Sequence, residues 1–290
     1  MLKKCRENKP ILYCVLAYVL WLLGMAVGGT LSGFASGVAV KMGGSPFSFI
    51  MQMTLDDTAG VLCAVFLLAR TERLGLLGRR GMGLPRGLLY AIFPLVLCAV
   101  DALIMKGWPS QPLNSPPRIL LFLVLTAIIG MSEDFLCRAV LAQTLLERYG
   151  NKKYGPVLAV LLSTLLFSVM HFLNIFSGGN PGQVLLQVLN AASAGIMLAT
   201  VYFTTGNIWV PVILHALWDL ISMFDMEDGI FQSGATFAGN LNENGTVETW
   251  IVTALLLLYA FVLYRTGAMD RGIRKWFAAD FAPEKKTAEE

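Results

Sequence analysis

The sequence predicts an all-α, polytopic membrane protein, and three observations lead there. First, 56% of its 290 residues are apolar and 14% are charged, against about 25% charged in soluble domains. Second, the apolar residues gather into about eight stretches, near 11–29, 47–69, 87–106, 119–147, 155–176, 183–204, 207–224 and 248–265. Third, Lys and Arg keep to alternate gaps between these stretches, with 18 of the 22 on one side. A soluble chain of this length has too little interior to hide so much apolar surface.

The spans are expected to be helices, because backbone groups in lipid need partners within their own segment. The first follows Lys3, Lys4, Arg6 and Lys9 and ends in small residues, a pattern that resembles a signal peptide with a conceivable cut after Ala35. Its apolar run is long for a signal peptide and many spans follow, so an uncleaved first helix is expected. The second span is the weakest. MQMTLDD interrupts it, and its clean part, Thr58 to Ala69, falls short of the roughly 20 residues a crossing needs. The sixth and seventh are divided only by the tight turn Thr205-Gly206-Asn207. Residues 1–265 therefore read as one transmembrane domain, and 266–290 as a cytoplasmic, partly disordered tail. The basic side, which holds Arg70 to Arg86, Arg148 to Lys153 and both ends of the chain, is expected to be cytoplasmic. The long opposite loop 225–247 has no Lys or Arg. The five cysteines form no CxxC pair, and most lie within spans, where they read as small apolar fillers. Membrane lipid is the expected surrounding partner, and no nucleic-acid partner is expected.

Ionisable groups at membrane depth are costly and by default face a protein or water interior. Here they are few and regularly spaced. The chain has two histidines, His171 and His215, both in apolar stretches. A third stretch carries Glu133, Asp134 and Arg138. Residues four apart share a helix face, so Asp134 can pair with Arg138, Phe167 can lie beside His171, and Asp219 can lie beside His215 and orient its ring. Glu133 is rotated by about 100° from Asp134 and so is free to point elsewhere. This division suggests one structural and one reactive carboxylate. Glu133 and His171 lie equally far from the turn near Lys152, about 28 Å by helical rise, whereas His215 is only about 14 Å beyond Gly206. For all three to meet, the first turn must project further than the second. A lone buried His is more often a packing residue, and an Asp-Arg pair is usually structural. One free carboxylate and two histidines on three helices are harder to explain as packing.

These residues resemble the three motifs of the CAAX-protease and bacteriocin-processing (CPBP) family of intramembrane endopeptidases. The first motif, two acidic residues, three others and an arginine, is matched by Glu133-Asp134 and Arg138. The second is matched by Phe167 and His171, and the third by His215 and Asp219. The resemblance covers about residues 88–224. There are departures: Asp134 stands where Glu is usual, Ala139 where Gly is frequent, and Asp219 where Asn is common. The resemblance implies that Glu133 acts as general base toward a water that attacks a peptide carbonyl. His171 would position the water and help protonate the leaving amine. His215 would donate to the oxyanion, worth roughly 3 kcal/mol for one donor. Asp134, Arg138, Phe167 and Asp219 would support the site. An ionised Asp219 would repel the oxyanion, so it is expected to stabilise a charged His215 ring or to be protonated itself.

No cofactor is expected. The competing expectation is zinc held by Glu133, His171 and His215, two His and one carboxylate, although the chain lacks an HExxH arrangement. The expected substrate is a membrane-associated peptide or protein: a leader peptide, a pheromone or bacteriocin precursor, or a lipidated C-terminus. The expected location is a bacterial plasma membrane with both termini cytoplasmic. Rival functions are a non-proteolytic immunity or scaffold protein of the same fold and a proton-coupled transporter. The absence of internal repeats counts against the transporter.

Overall fold

A computed structural model describes residues 1–105, 110–224, 226, 229–232 and 247–281. Most of the expected loop 225–247 and the last residues of the expected tail, 282–290, lie outside the described residues. The described chain is a helical bundle without strands; an isolated bridge joins Leu113 to Phe231. In chain order the α-helices are α1 (Leu2–Asn8), α2 (Pro10–Lys41), α3 (Phe49–Arg70), α4 (Leu84–Gly87), α5 (Ile92–Met105), α6 (Pro116–Asp134), α7 (Gln143–Tyr149), α8 (Gly155–Val169), α9 (Pro181–Thr205), α10 (Trp209–Ser222), α11 (Val247–Arg265) and α12 (Ala268–Trp276).

Their starts follow local chemistry. Pro opens α2, α6 and α9 at positions where its missing N–H costs nothing. The Ser48 hydroxyl accepts from the Met51 amide at the start of α3, and Asn180 Oδ1 accepts from Gly182 at the start of α9. Gly206 and Asn207 turn α9 into α10, and Asn207 Oδ1 accepts from the Trp209 amide.

Five helical stretches are long and apolar enough to cross a membrane: Pro10–Lys41, Phe49–Arg70, Pro116–Tyr149, Gly155–Ile175 and Pro181–Thr205. A sixth is counted if Thr249–Arg265 and Ala268–Trp276, bent by 62°, are one span. The chain is an integral membrane protein; the described residues do not confirm the count of eight. The third window is helical from Leu84 to Met105, with a 3-10 turn at Leu88–Ala91. The seventh, Trp209–Ser222, has 14 residues, about 21 Å against a hydrocarbon core of about 30 Å. The weakest expected span is instead a complete helix: α3 takes in MQMTLDD and buries Asp57.

Helix α6 lies between α3 and α10, while α9 joins α8 to α11. At one end of the bundle, polar contacts gather distant parts of the chain. Arg6 and Arg73 both pair with Glu147, and Arg79 and Gln143 both reach Asp280. The segments holding most of the basic residues, both ends of the described chain among them, therefore share one end. Phe277 is fully buried there between Tyr202 and Phe203, beneath the Arg79 guanidinium.

Candidate active site

Two close helix approaches build the site. At Gly130 an added Cβ would stand 2.8 Å from the Val212 carbonyl and 3.2 Å from the Ala216 amide, so α6 and α10 meet backbone to backbone there. Glu133 and Asp134 follow one turn along α6, and His215 neighbours Ala216 on α10. At Gly195 an added Cβ would stand 2.9 Å from both Phe167 and Thr164, so α8 seats Phe167 against α9.

Immediately after Asp134 the helix winds as a π-helix over Phe135–Ala142 before returning to α-form in α7. The spacing argument takes a regular α-helix through this motif, and the wider turn corrects it. Such π-segments are rare and concentrate at functional sites. The Asp134–Arg138 pair survives, with Arg138 Nε 3.0 Å from Asp134 Oδ1. It is an ion pair rather than a well-directed hydrogen bond, since Oδ1 has no donor aligned on it and Arg138 Nη1 has no acceptor among the described residues. Both side chains are almost fully sealed, at 2% and 0% exposure.

Asp134 has a second task that spacing does not reveal. Its Oδ2 accepts from His215 Nδ1 at 3.0 Å. The expected orienting partner, Asp219, lies beside the other ring nitrogen, 3.7 Å from Nε2. Asp134 therefore fixes the ring, in the arrangement by which a carboxylate sets an imidazole's tautomer and aim. Glu133 Oε2 stands 3.6 Å from Nε2, so the depth requirement for Glu133 and His215 is met. The Glu133 side chain keeps 12% of its surface accessible while Asp134 keeps none, which leaves Glu133 as the carboxylate of the pair that water can reach.

His171 also packs against Phe167. It begins a 3-10 stretch, Met170–Ile175, at the end of α8. Its Nδ1 lies 3.2 Å from the Phe167 carbonyl, and a carbonyl only accepts, so Nδ1 carries the proton and Nε2 is left as the acceptor. The Phe167 ring packs edge-on against both imidazoles, with centroids 5.4 Å from His171 and 5.8 Å from His215, and Arg138 caps it at 4.5 Å. Phe167 thus links all three motifs. Glu133 contacts His215 rather than His171.

Both nitrogens of His215 face carboxylates, Nδ1 of His171 faces a carbonyl, and Nε2 of His171 is open among the described residues. Among the described residues no group of three or more His, Cys, Asp or Glu is arranged to hold a metal ion.

Sequence reasoning missed Asp57. This buried residue of α3 interacts electrostatically with Glu133, His215 and Asp219. Its signal was the acidic interruption of an apolar span, which was read as weakness of the helix.

Residues 115–221 match the model of a family described as type II CAAX prenyl endopeptidase, Rce1-like. These residues are an Rce1-like domain of the CPBP family. The matched stretch contains every motif residue named above, from Glu133 to Asp219. No curated protein matches the chain. The CPBP domain is of the CAAX-protease endopeptidase type, and α6 to α10 form it within an integral membrane protein.

Proposed function

We propose that this chain hydrolyses peptide bonds of membrane-associated or lipidated peptides and proteins by means of a water activated by Glu133, without a metal. The meeting of Glu133 with the His215 ring at 3.6 Å carries the reading, and it occurs inside a domain that matches an endopeptidase family. Glu133 removes a proton from the water as it attacks the carbonyl. His215, held at Nδ1 by Asp134, turns Nε2–H toward the developing oxyanion, a contribution of roughly 3 kcal/mol for one donor. His171 presents Nε2 as an acceptor that positions the water, and the proton that Glu133 took from the water is then relayed through His171 Nε2 to the leaving amine. Asp219 stabilises the charged form of His215. The chain sits in a bacterial plasma membrane, and the positive-inside rule puts its basic segments, with both termini, on the cytoplasmic side.

The test uses purified full-length protein in liposomes and a quenched peptide ending in a prenylated cysteine and three further residues. Cleavage is expected to persist after zinc is stripped with a chelator and to fall at least about a hundredfold in Glu133→Gln, the scale of losing a general base. Loss on stripping with recovery on adding zinc would overturn the metal-free mechanism. Undiminished cleavage by Glu133→Gln would overturn the role of Glu133.

A further inference from the structure

Beyond the hydrolytic groups, a row of carboxamides runs from His171 onto α9. In a 3-10 helix residues three apart eclipse one another, so Asn174 stands on the same face as His171, one turn on. Asn174 Nδ2 donates to Gln187 Oε1 at 2.9 Å. One turn further along α9, Asn190 Nδ2 donates to Thr253 Oγ1 of α11 at 3.1 Å. Gln183, one turn before Gln187, has its Oε1 sealed from solvent with no hydrogen-bond partner among the described residues.

At 100° per residue, Gln183, Gln187 and Asn190 fall within about 60° of one another and roughly 150° from the exposed Leu185 and Leu189. The strip is therefore turned away from the apolar face of α9. Even so, Asn174, Gln187 and Asn190 are each only partly buried. Partly accessible amides on the inward side of a membrane helix line a polar interior. Gln187 Nε2 and Asn174 Oδ1 have no protein partner among the described residues, which leaves a donor and an acceptor side by side. A peptide group presents the complementary acceptor and donor.

We infer that Asn174, Gln187 and Asn190 bind the main chain of the peptide substrate in an extended form and pass its scissile carbonyl toward His171 and Glu133. This inference rests on the peptidase reading and adds to it the chemical feature by which substrate is held: the peptide backbone rather than a particular side chain. These residues position the substrate; they do not take part in the proton transfers.

The experiment separates binding from cleavage. Full-length protein carrying Glu133→Gln is purified in detergent. It is photolabelled with a biotinylated peptide that ends in a prenylated cysteine and three residues and bears a benzophenone next to them. Label is expected on residues 183–190, and the double variant Gln187→Leu, Asn190→Leu is expected to lower it about tenfold or more, the loss of roughly 1.4 kcal/mol of binding. The same peptide methylated on its backbone nitrogens is expected to compete about tenfold more weakly on the unsubstituted strip. That arm decides the matter even if the double variant fails to fold. Equal competition by the methylated peptide, unchanged labelling of a folded double variant, or no labelling would each overturn the inference. Failure of the native protein to cleave the same peptide would instead overturn the peptidase reading, whatever the labelling shows.

Discussion

Asp134 and Asp219 both stand beside His215, in different company. Asp134 accepts from Nδ1 at 3.0 Å and also pairs with Arg138, fully buried. Asp219 is 3.7 Å from Nε2 and makes no hydrogen bond there. Removing one partner of a buried ion pair costs about 3–5 kcal/mol, and loss of the orienting carboxylate misaligns the ring. Asp134→Asn is therefore expected to lower cleavage about a hundredfold or more and to lower the thermal midpoint. Asp219→Asn supplies the residue common at this position in the family and is expected to stay within about tenfold of native, less than 1.4 kcal/mol. Both are read from initial rates on the quenched peptide and from melting in detergent. The reverse order of the two variants would move the orienting role to Asp219.

Among elements, the meeting of α6 and α10 decides whether Glu133 reaches His215. Gly130→Leu would push a side chain into the Val212 carbonyl and the Ala216 amide. Overpacking of this kind costs about 1–3 kcal/mol and would separate the two helices. The expected result is a lower thermal midpoint together with loss of cleavage, while a neutral effect would mean that the helices meet elsewhere. This scale also shows what sequence could and could not supply. Pairs four residues apart on one helix, Asp134 with Arg138 and Phe167 with His171, are legible because helical periodicity is local. The partner of Asp134 on another helix is not legible, because no periodicity within α6 specifies what α10 places opposite it. The π-helix at Phe135–Ala142 was likewise hidden, since no proline or glycine marks it. Asp57 was visible as a residue but not as a neighbour of the site.

On the scale of the whole molecule, the end that gathers the N-terminal helix, Arg73, Glu147 and Asp280 also anchors the C-terminal helix α12. Phe277 is fully buried between two aromatic rings, and Phe→Ala changes in such places cost about 3–5 kcal/mol. Phe277→Ala is expected to lower the thermal midpoint clearly and to leave cleavage below that temperature near native, since Phe277 touches none of the motif residues. An unchanged midpoint would mean that α12 is not held as described. Composition and charge asymmetry made the all-α membrane architecture legible. The exact number of full crossings was not, because apolar windows do not show how short a helix such as α10 is.

Every role assigned above depends on Glu133 being the reactive carboxylate at the His215 ring. The most direct measurement compares peptides released by cells that express equal amounts of the native chain and of Glu133→Ala, identified by mass spectrometry. A set of cleavage products present with the native chain and absent with Glu133→Ala is the predicted result. The same products in both, or an unaltered cellular phenotype with no products in either, would contradict glutamate-driven proteolysis.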